Sequence, residues 1–169
     1  MIRHKRSIVG LATVLAAAAV AVGSGATFTS QSANAESSFV SGTLTQSNSK
    51  DGVAVVTGSD MKPGDVRTGD VTITNTGSLP GVFTLEEQND SNGFQAGSLK
   101  LKIQDTGNNS VVYSGDLGSV PAAGIALGSF AANGGAHTYR FTVTLQATAG
   151  DDDQGRSAGA EYVWNAVQE

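Results

Sequence analysis

Apolar and polar positions alternate along most of this chain. Across residues 70–75, Val71, Ile73 and Asn75 fall on one face and Thr72 and Thr74 on the other. Residues 82–86 repeat the pattern with Phe83 and Leu85 together. Leu99, Leu101 and Ile103 oppose Lys100, Lys102 and Gln104. Tyr139, Phe141, Val143 and Leu145 oppose Arg140, Thr142, Thr144 and Gln146, which predicts the strongest strand. Tyr162, Trp164 and Ala166 close the series. A period of two marks a strand with one buried face. Phe39, Leu44 and their neighbours predict a short first strand, and residues 53–57 form an apolar, β-branched run. Residues 61–65 and 76–81 read as turns, and Gly107-Asn108-Asn109 turns into a strand at 111–113. Residues 88–97 read as a polar, Asn-rich loop. Residues 115–135 hold Leu117, Ile125, Leu127 and Phe130, and read as irregular crossover or a minor strand. No segment after the N-terminal region keeps a 3.6-residue period for ten residues. About eight strands with one apolar face each must pair two sheets. The predicted fold is all-β, a jelly-roll-like β-sandwich of about eight strands behind an N-terminal signal helix.

The N-terminal region breaks the alternation. Arg3, Lys5 and Arg6 precede an uncharged, apolar run over residues 8–23. That is the order of a secretory signal peptide. At about 16 residues the run is short of the ~20 that span a bilayer. Ser24-Gly25-Ala26 is a small-x-small cleavage site directly behind it, and Ala33-Asn34-Ala35 is a second candidate, cutting before Glu36. The expected organisation is a signal peptide at 1–26, cut between Ala26 and Thr27, a flexible arm at 27–38 and a sandwich domain at 39–169. The arm is too polar to pack by itself, with Phe28 as its exception. The expected location is outside a bacterial cell, secreted or in the cell-surface matrix, with no membrane contact after cleavage. No L-P-x-T-G sorting signal is present and the last residues, AVQE, are not an apolar tail.

Composition narrows the chemistry. The 169 residues carry a formal net charge of −5. Loss of Arg3, Lys5 and Arg6 leaves seven of the ten bases against fifteen acids, a net charge of −8. Such a surface argues against nucleic acid or anionic lipid as a partner. The chain has no Cys, which removes disulfides, thiolate catalysis and Cys-ligated zinc. Past the signal one His remains, His137, where a zinc hydrolase normally takes two or three, and H-E-x-x-H is absent. The expectation is therefore no enzyme and no cofactor. Gly155-Arg156-Ser157-Ala158-Gly159 fits G-x-S-x-G, but no His follows and no helix is predicted after it. Asp151-Asp152-Asp153 fails the EF-hand pattern, with Arg156 at the sixth position and Tyr162 at the twelfth. Asp151 and Asp153 stay as candidate metal ligands; the alternative is a solvated hairpin tip. His137 reads as a surface strand residue. Phe83, Phe141, Tyr162 and Trp164 read as core, while an exposed Trp164 would keep a sugar-binding platform open.

Several motifs in order resemble the TasA/camelysin family, exported proteins cut by a SipW-type signal peptidase. They are Gly25-Ala26-Thr27-Phe28-Thr29, Phe39-Val40-Ser41-Gly42-Thr43-Leu44, Met61-Lys62-Pro63-Gly64-Asp65, Val71-Thr72-Ile73-Thr74-Asn75-Thr76-Gly77-Ser78, and Gln154 with Tyr162-Val163-Trp164-Asn165-Ala166-Val167-Gln168. The resemblance implies a jelly-roll sandwich, cleavage after Ala26 and an extracellular role, which in the best-known members is that of a fibre-forming biofilm matrix protein. Some relatives carry a metallo-endopeptidase label, for which this sequence lacks zinc ligands. The expected partners are the signal peptidase during export and then further copies of the chain. In that reading the freed arm, Thr27, Phe28 and Thr29 foremost, adds as a strand to the next subunit and builds a head-to-tail filament. The alternatives are a monomeric wall- or surface-binding module and a camelysin-like metallo-endopeptidase. Buried aromatics favour assembly, an exposed Trp/Tyr patch favours binding, and three ligands converging on His137 favour the protease.

Overall fold

In the computed structural model of the chain the described residues are 40–169. The signal peptide, both cleavage points, the arm and Phe39 lie outside them. Among the described residues no helix is long and apolar enough to cross a membrane.

Among the described residues the alternation resolves into eight strands: β1 (Gln46–Asn48), β2 (Val66–Asn75), β3 (Gly81–Asn92), β4 (Leu99–Asp105), β5 (Val111–Asp116), β6 (Ile125–Phe130), β7 (Gly135–Leu145) and β8 (Ala158–Gln168). All pairings are antiparallel. One sheet has the order β1-β2-β7-β4-β5 and the other β6-β3-β8. An eight-stranded jelly roll folds two Greek keys into sheets ordered 2-7-4-5 and 1-8-3-6. Seven strands here obey that order. The first does not: β1 turns back onto β2, with Gln46 opposite Asn75 and Asn48 opposite Ile73, and leaves the place beside β8.

The core lies between the sheets. Val71, Ile73, Leu101, Ile103, Tyr139 and Phe141 face it from the five-stranded sheet, and Phe83, Leu85, Phe130 and Trp164 from the other. The aromatics meet in pairs, Phe83 on Phe130 at 4.0 Å between ring centroids, Phe141 on Tyr162 at 4.7 Å and Tyr139 on Trp164 at 5.3 Å. Such pairs add to the area that they bury.

Three expectations change, and the minor strand expected within residues 115–135 is present as β6. Residues 40–44 form no strand, and Phe39 lies outside the described residues. Leu79 N–H donates to the Thr43 carbonyl (3.1 Å), and Thr76 and Gly77 donate to that of Thr45 (2.9 and 3.2 Å), so this stretch runs along a turn and pairs as a strand only from Gln46. Residues 53–57 form no strand. They run as an irregular strap whose Val55 carbonyl presses on Gly69 of β2, with Val55 and Val56 partly buried against the core. Residues 88–97 are not all loop, because β3 continues through Asn92 paired with β8, past a register shift between Gln88 and Ser91 where Asn89 takes φ +47. That end of β3 projects beyond the core and is exposed, so it carries no apolar stripe to read. Residues 115–135 hold one regular strand, β6, and the end of β5.

Candidate functional site

β8 is an edge strand. Its register with β3 runs from Gly81 opposite Gln168 to Asn92 opposite Ala158, and among the described residues no strand lies along its other edge. A residue in a strand sends its N–H and C=O to the same side, and its neighbours send theirs to the other. The Trp164 carbonyl faces the open side, since it accepts a 2.7 Å hydrogen bond from Gln46 Nε2 of β1. By alternation Tyr162 and Ala166 present their main-chain groups on that side as well. The side chains of Tyr162, Trp164 and Ala166 turn inward against the core.

Two hollows flank this edge. A cleft of ≈ 840 Å³ lies between β8 and the strap, with Leu99, Val143 and Leu145 among its apolar lining. Met61 and Val56 of the strap and Tyr162 of β8 form its sides, and Arg67, Asp60 and Arg156 also border it. A hollow of ≈ 510 Å³ separates Gln46, Ser47 and Asn48 of β1 from Tyr162, Val163 and Trp164 of β8. The arrangement offers an extended chain what a sheet offers its next strand: an edge whose main-chain groups have no strand partner among the described residues, and apolar hollows for alternate side chains.

The surroundings are held by carboxylates that accept from main-chain N–H groups. Asp153 accepts from Gln95 N–H (2.7 Å), Ser98 Oγ (2.8 Å) and Gly150 N–H (3.2 Å), and fastens the loop after β3 to the single 3-10 turn over Asp151–Asp153. The Gln95 N–H is the largest of the influences that hold its carboxyl below the usual range. Glu87 accepts from Gly118 and Val120 N–H and from the Tyr162 hydroxyl. Burial first, and the Glu87 charge second, push the Tyr162 hydroxyl well above its ordinary range.

The candidate site residues fare differently. Ala26, Thr27, Phe28 and Thr29 lie outside the described residues. Asp151 and Asp153 share one turn but not one site. Asp151 accepts from Gln154 Nε2 (2.8 Å), while both oxygens of nearly buried Asp153 point at protein donors. Among the described residues no three His, Cys, Asp or Glu side chains gather as a metal site. Ser157 leads into strand β8 instead of a helix. His137, expected at the surface, is partly covered, with 34% of its side chain exposed. It pairs with Ile73 on the inward side of β7, half-buried, with its ring 4.4 Å from that of Phe130 and its Nδ1 2.7 Å from Asp105 Oδ2. Burial alone would lift the Asp105 carboxyl, but the hydrogen bonds from His137 and Gly107 N–H outweigh it and hold it low. Trp164 is buried, so it is no platform for a sugar.

The quoted motifs have structural tasks. Asn75, fully buried, donates to the carbonyls of Leu79 (2.8 Å) and Phe130 (3.2 Å) and accepts from Gly77 N–H (3.0 Å). Gly77 lies so close to the Thr43 carbonyl that a side chain would collide with it, and Ser78 Oγ accepts from Thr43 N–H (2.9 Å). The Gly42-Thr43-Leu44 and Asn75-Thr76-Gly77-Ser78 motifs thus form one joint. In Pro63-Gly64-Asp65, Gly64 at φ +93 donates to the Leu145 carbonyl (2.8 Å) and the Asp65 carbonyl accepts from Leu145 N–H (3.0 Å). The Gln46 to Trp164 contact and the Asp105–His137 pair had no signal in the sequence, since each joins residues distant in the chain and carries no spacing.

No curated protein matches the chain. Residues 3–85 match the family model described as camelysin metallo-endopeptidase. The matched stretch takes in β1, β2, the joint around Asn75 and the start of β3, and ends before β8. The donor set does not fit the metal that this description implies: among the described residues no three His, Cys, Asp or Glu side chains gather around His137 or elsewhere. The family match and the motifs together make the N-terminal half of the chain similar to the camelysin family.

Proposed function

We propose that the chain is a secreted structural protein of the TasA type that assembles by strand addition, with residues 27–38 of one copy adding along β8 of the next. The observation that carries this reading is the edge of β8, which has no strand partner among the described residues and lies beside an apolar cleft. Lengths agree. At about 3.3 Å per residue the segment spans about 40 Å extended, and the eleven residues of β8 about 36 Å. Phe28 is the one large apolar side chain of the segment and is suited to the cleft lined by Leu99, Val143 and Leu145. Donor and acceptor are different surfaces, so the contact is head-to-tail, does not close and grows into a filament. Before cleavage Thr27 is tethered to the membrane-directed segment, which keeps the donor from reaching a neighbour inside the cell.

Electron microscopy of two purified proteins tests this. The chain beginning at Thr27 is expected to form filaments and the chain beginning at Ser38 to stay monomeric. Filaments of equal abundance from both would defeat the proposal. The family description favours a second reading, metallo-endopeptidase activity, against which stands the scattered donor set. Peptide cleavage by the purified chain that a chelator abolishes would favour it over assembly.

A further inference from the structure

β1 lies in an odd place. It is three residues long, β2 is its one strand partner among the described residues, and it faces β8 across a hollow with no ladder between them. The contact across that hollow is a side chain: Gln46 Nε2 donates to the Trp164 carbonyl at 2.7 Å, partly shielded from solvent. The amide of Gln46 stands where the N–H of a neighbouring strand would stand. A strand added to β8 needs the outward carbonyls and N–H groups of alternate residues in succession, and Trp164 lies between Tyr162 and Ala166 in that series. An incoming strand and Gln46 therefore compete for one acceptor.

We propose that Gln46 is a displaceable latch: it closes β1 onto the middle of the β8 edge and holds the acceptor shut until an added strand replaces it. This rests on the strand-addition reading and gives it a control point. The closed form satisfies a carbonyl that would otherwise be half-buried beside Tyr162 and Trp164. It also blunts an edge that would pair with any extended chain, and natural sheets cover such edges. The latch is weak by construction, because a neutral side-chain hydrogen bond returns little net free energy and the added strand replaces it in kind. The true donor makes a full run of main-chain bonds and wins, whereas a short or mismatched segment does not.

The test uses the chain beginning at Ser38, which retains every described residue of the core, and a labelled synthetic peptide of residues 27–38. Gln46→Leu keeps the bulk and removes the donor. Gln46→Glu replaces it with a carboxylate that repels the Trp164 carbonyl at neutral pH. Circular dichroism checks that each variant is folded. Both variants are expected to bind the peptide about fivefold more tightly than the parent, as one net hydrogen bond predicts. Both are also expected to show faster hydrogen exchange across Gln46–Asn48. Peptide binding equal in parent and variants, with exchange unchanged, overturns the latch and leaves strand addition standing. Absence of binding to parent and variants alike overturns strand addition and the latch with it.

Discussion

Asn75 shows how much one side chain holds. Its amide joins the end of β2, the turn to β3 and the end of β6 through three hydrogen bonds in a site closed to water. Removing it strands two carbonyls and an N–H in that site, and buried groups without partners cost far more than the net value of the bonds. Asn75→Ala is expected to destabilise the domain by about 3 kcal/mol, read from the urea midpoint at unchanged slope. The residue was legible in the sequence only as a polar interruption of an apolar face: Val71, Ile73 and Asn75 align, and the third is not apolar. Its partners were not legible, since Phe130 lies far along the chain. Tyr139 shows the opposite case. Its hydroxyl and the Trp164 Nε1 are buried with no partner among the described residues, and burial, then the Asp105 charge, drive the Tyr139 hydroxyl well above its usual range.

At the scale of elements, the strap between β1 and β2 is the least expected part. Its β-branched composition favours a strand, yet it lies beside Gly69 with the Val55 carbonyl too close for any Cβ. Gly69→Ala must push the strap off β2 and disturb one wall of the larger cleft. The expected cost is about 2 kcal/mol, as for overpacking elsewhere, and the check is a lowered melting midpoint with faster hydrogen exchange over residues 53–57. The strands with one buried face were all legible, because β2, β4 and β7 each bury alternate residues and the period survives in the sequence. The elements that departed from expectation lack that signal. The far half of β3 is exposed on both faces. β1 is too short to show a period, and the strap buries its residues without one. The open edge belongs to this second class: β8 itself was legible, but its lack of a strand neighbour among the described residues follows from where β1 goes.

At the scale of the molecule, charge sets the conditions under which the proposed assembly is expected. Freed of residues 1–26 the chain carries −8, and copies repel at low salt. Filament growth is expected to quicken as salt rises from about 10 mM to about 150 mM, where the screening length falls from roughly 30 Å to 8 Å. Acid acts twice. On the strand-addition reading, mild acid lowers the repulsion and is expected to favour growth. Stronger acid attacks the fold, because the carboxyls of Asp70, Asp105, Asp116 and Asp153 are all held below their ordinary values in the native state. Arg140 does this for Asp70, and Lys100 and Gly97 N–H for Asp116. A depressed carboxyl adds stability above its unfolded pKa and loses it as pH falls through the folded one, so this loss begins near pH 4 and deepens below. Light scattering and circular dichroism followed together against pH are expected to show growth rising toward mild acid and collapsing with the native signal below it. Loss of scattering without loss of fold would contradict the order.

The displaced first strand also bears on what stability means for this protein. A sheet that accepts its next strand from another molecule has a native state that includes a ligand, and the ligand is the protein itself. By mass action, binding to the folded form alone deepens the folded well in proportion to the logarithm of free donor concentration. On the strand-addition reading the melting temperature is then not a constant of the chain but a reading of how much of it has been secreted. On that reading the same polypeptide is expected to melt earlier as a dilute monomer than as a crowded assembly.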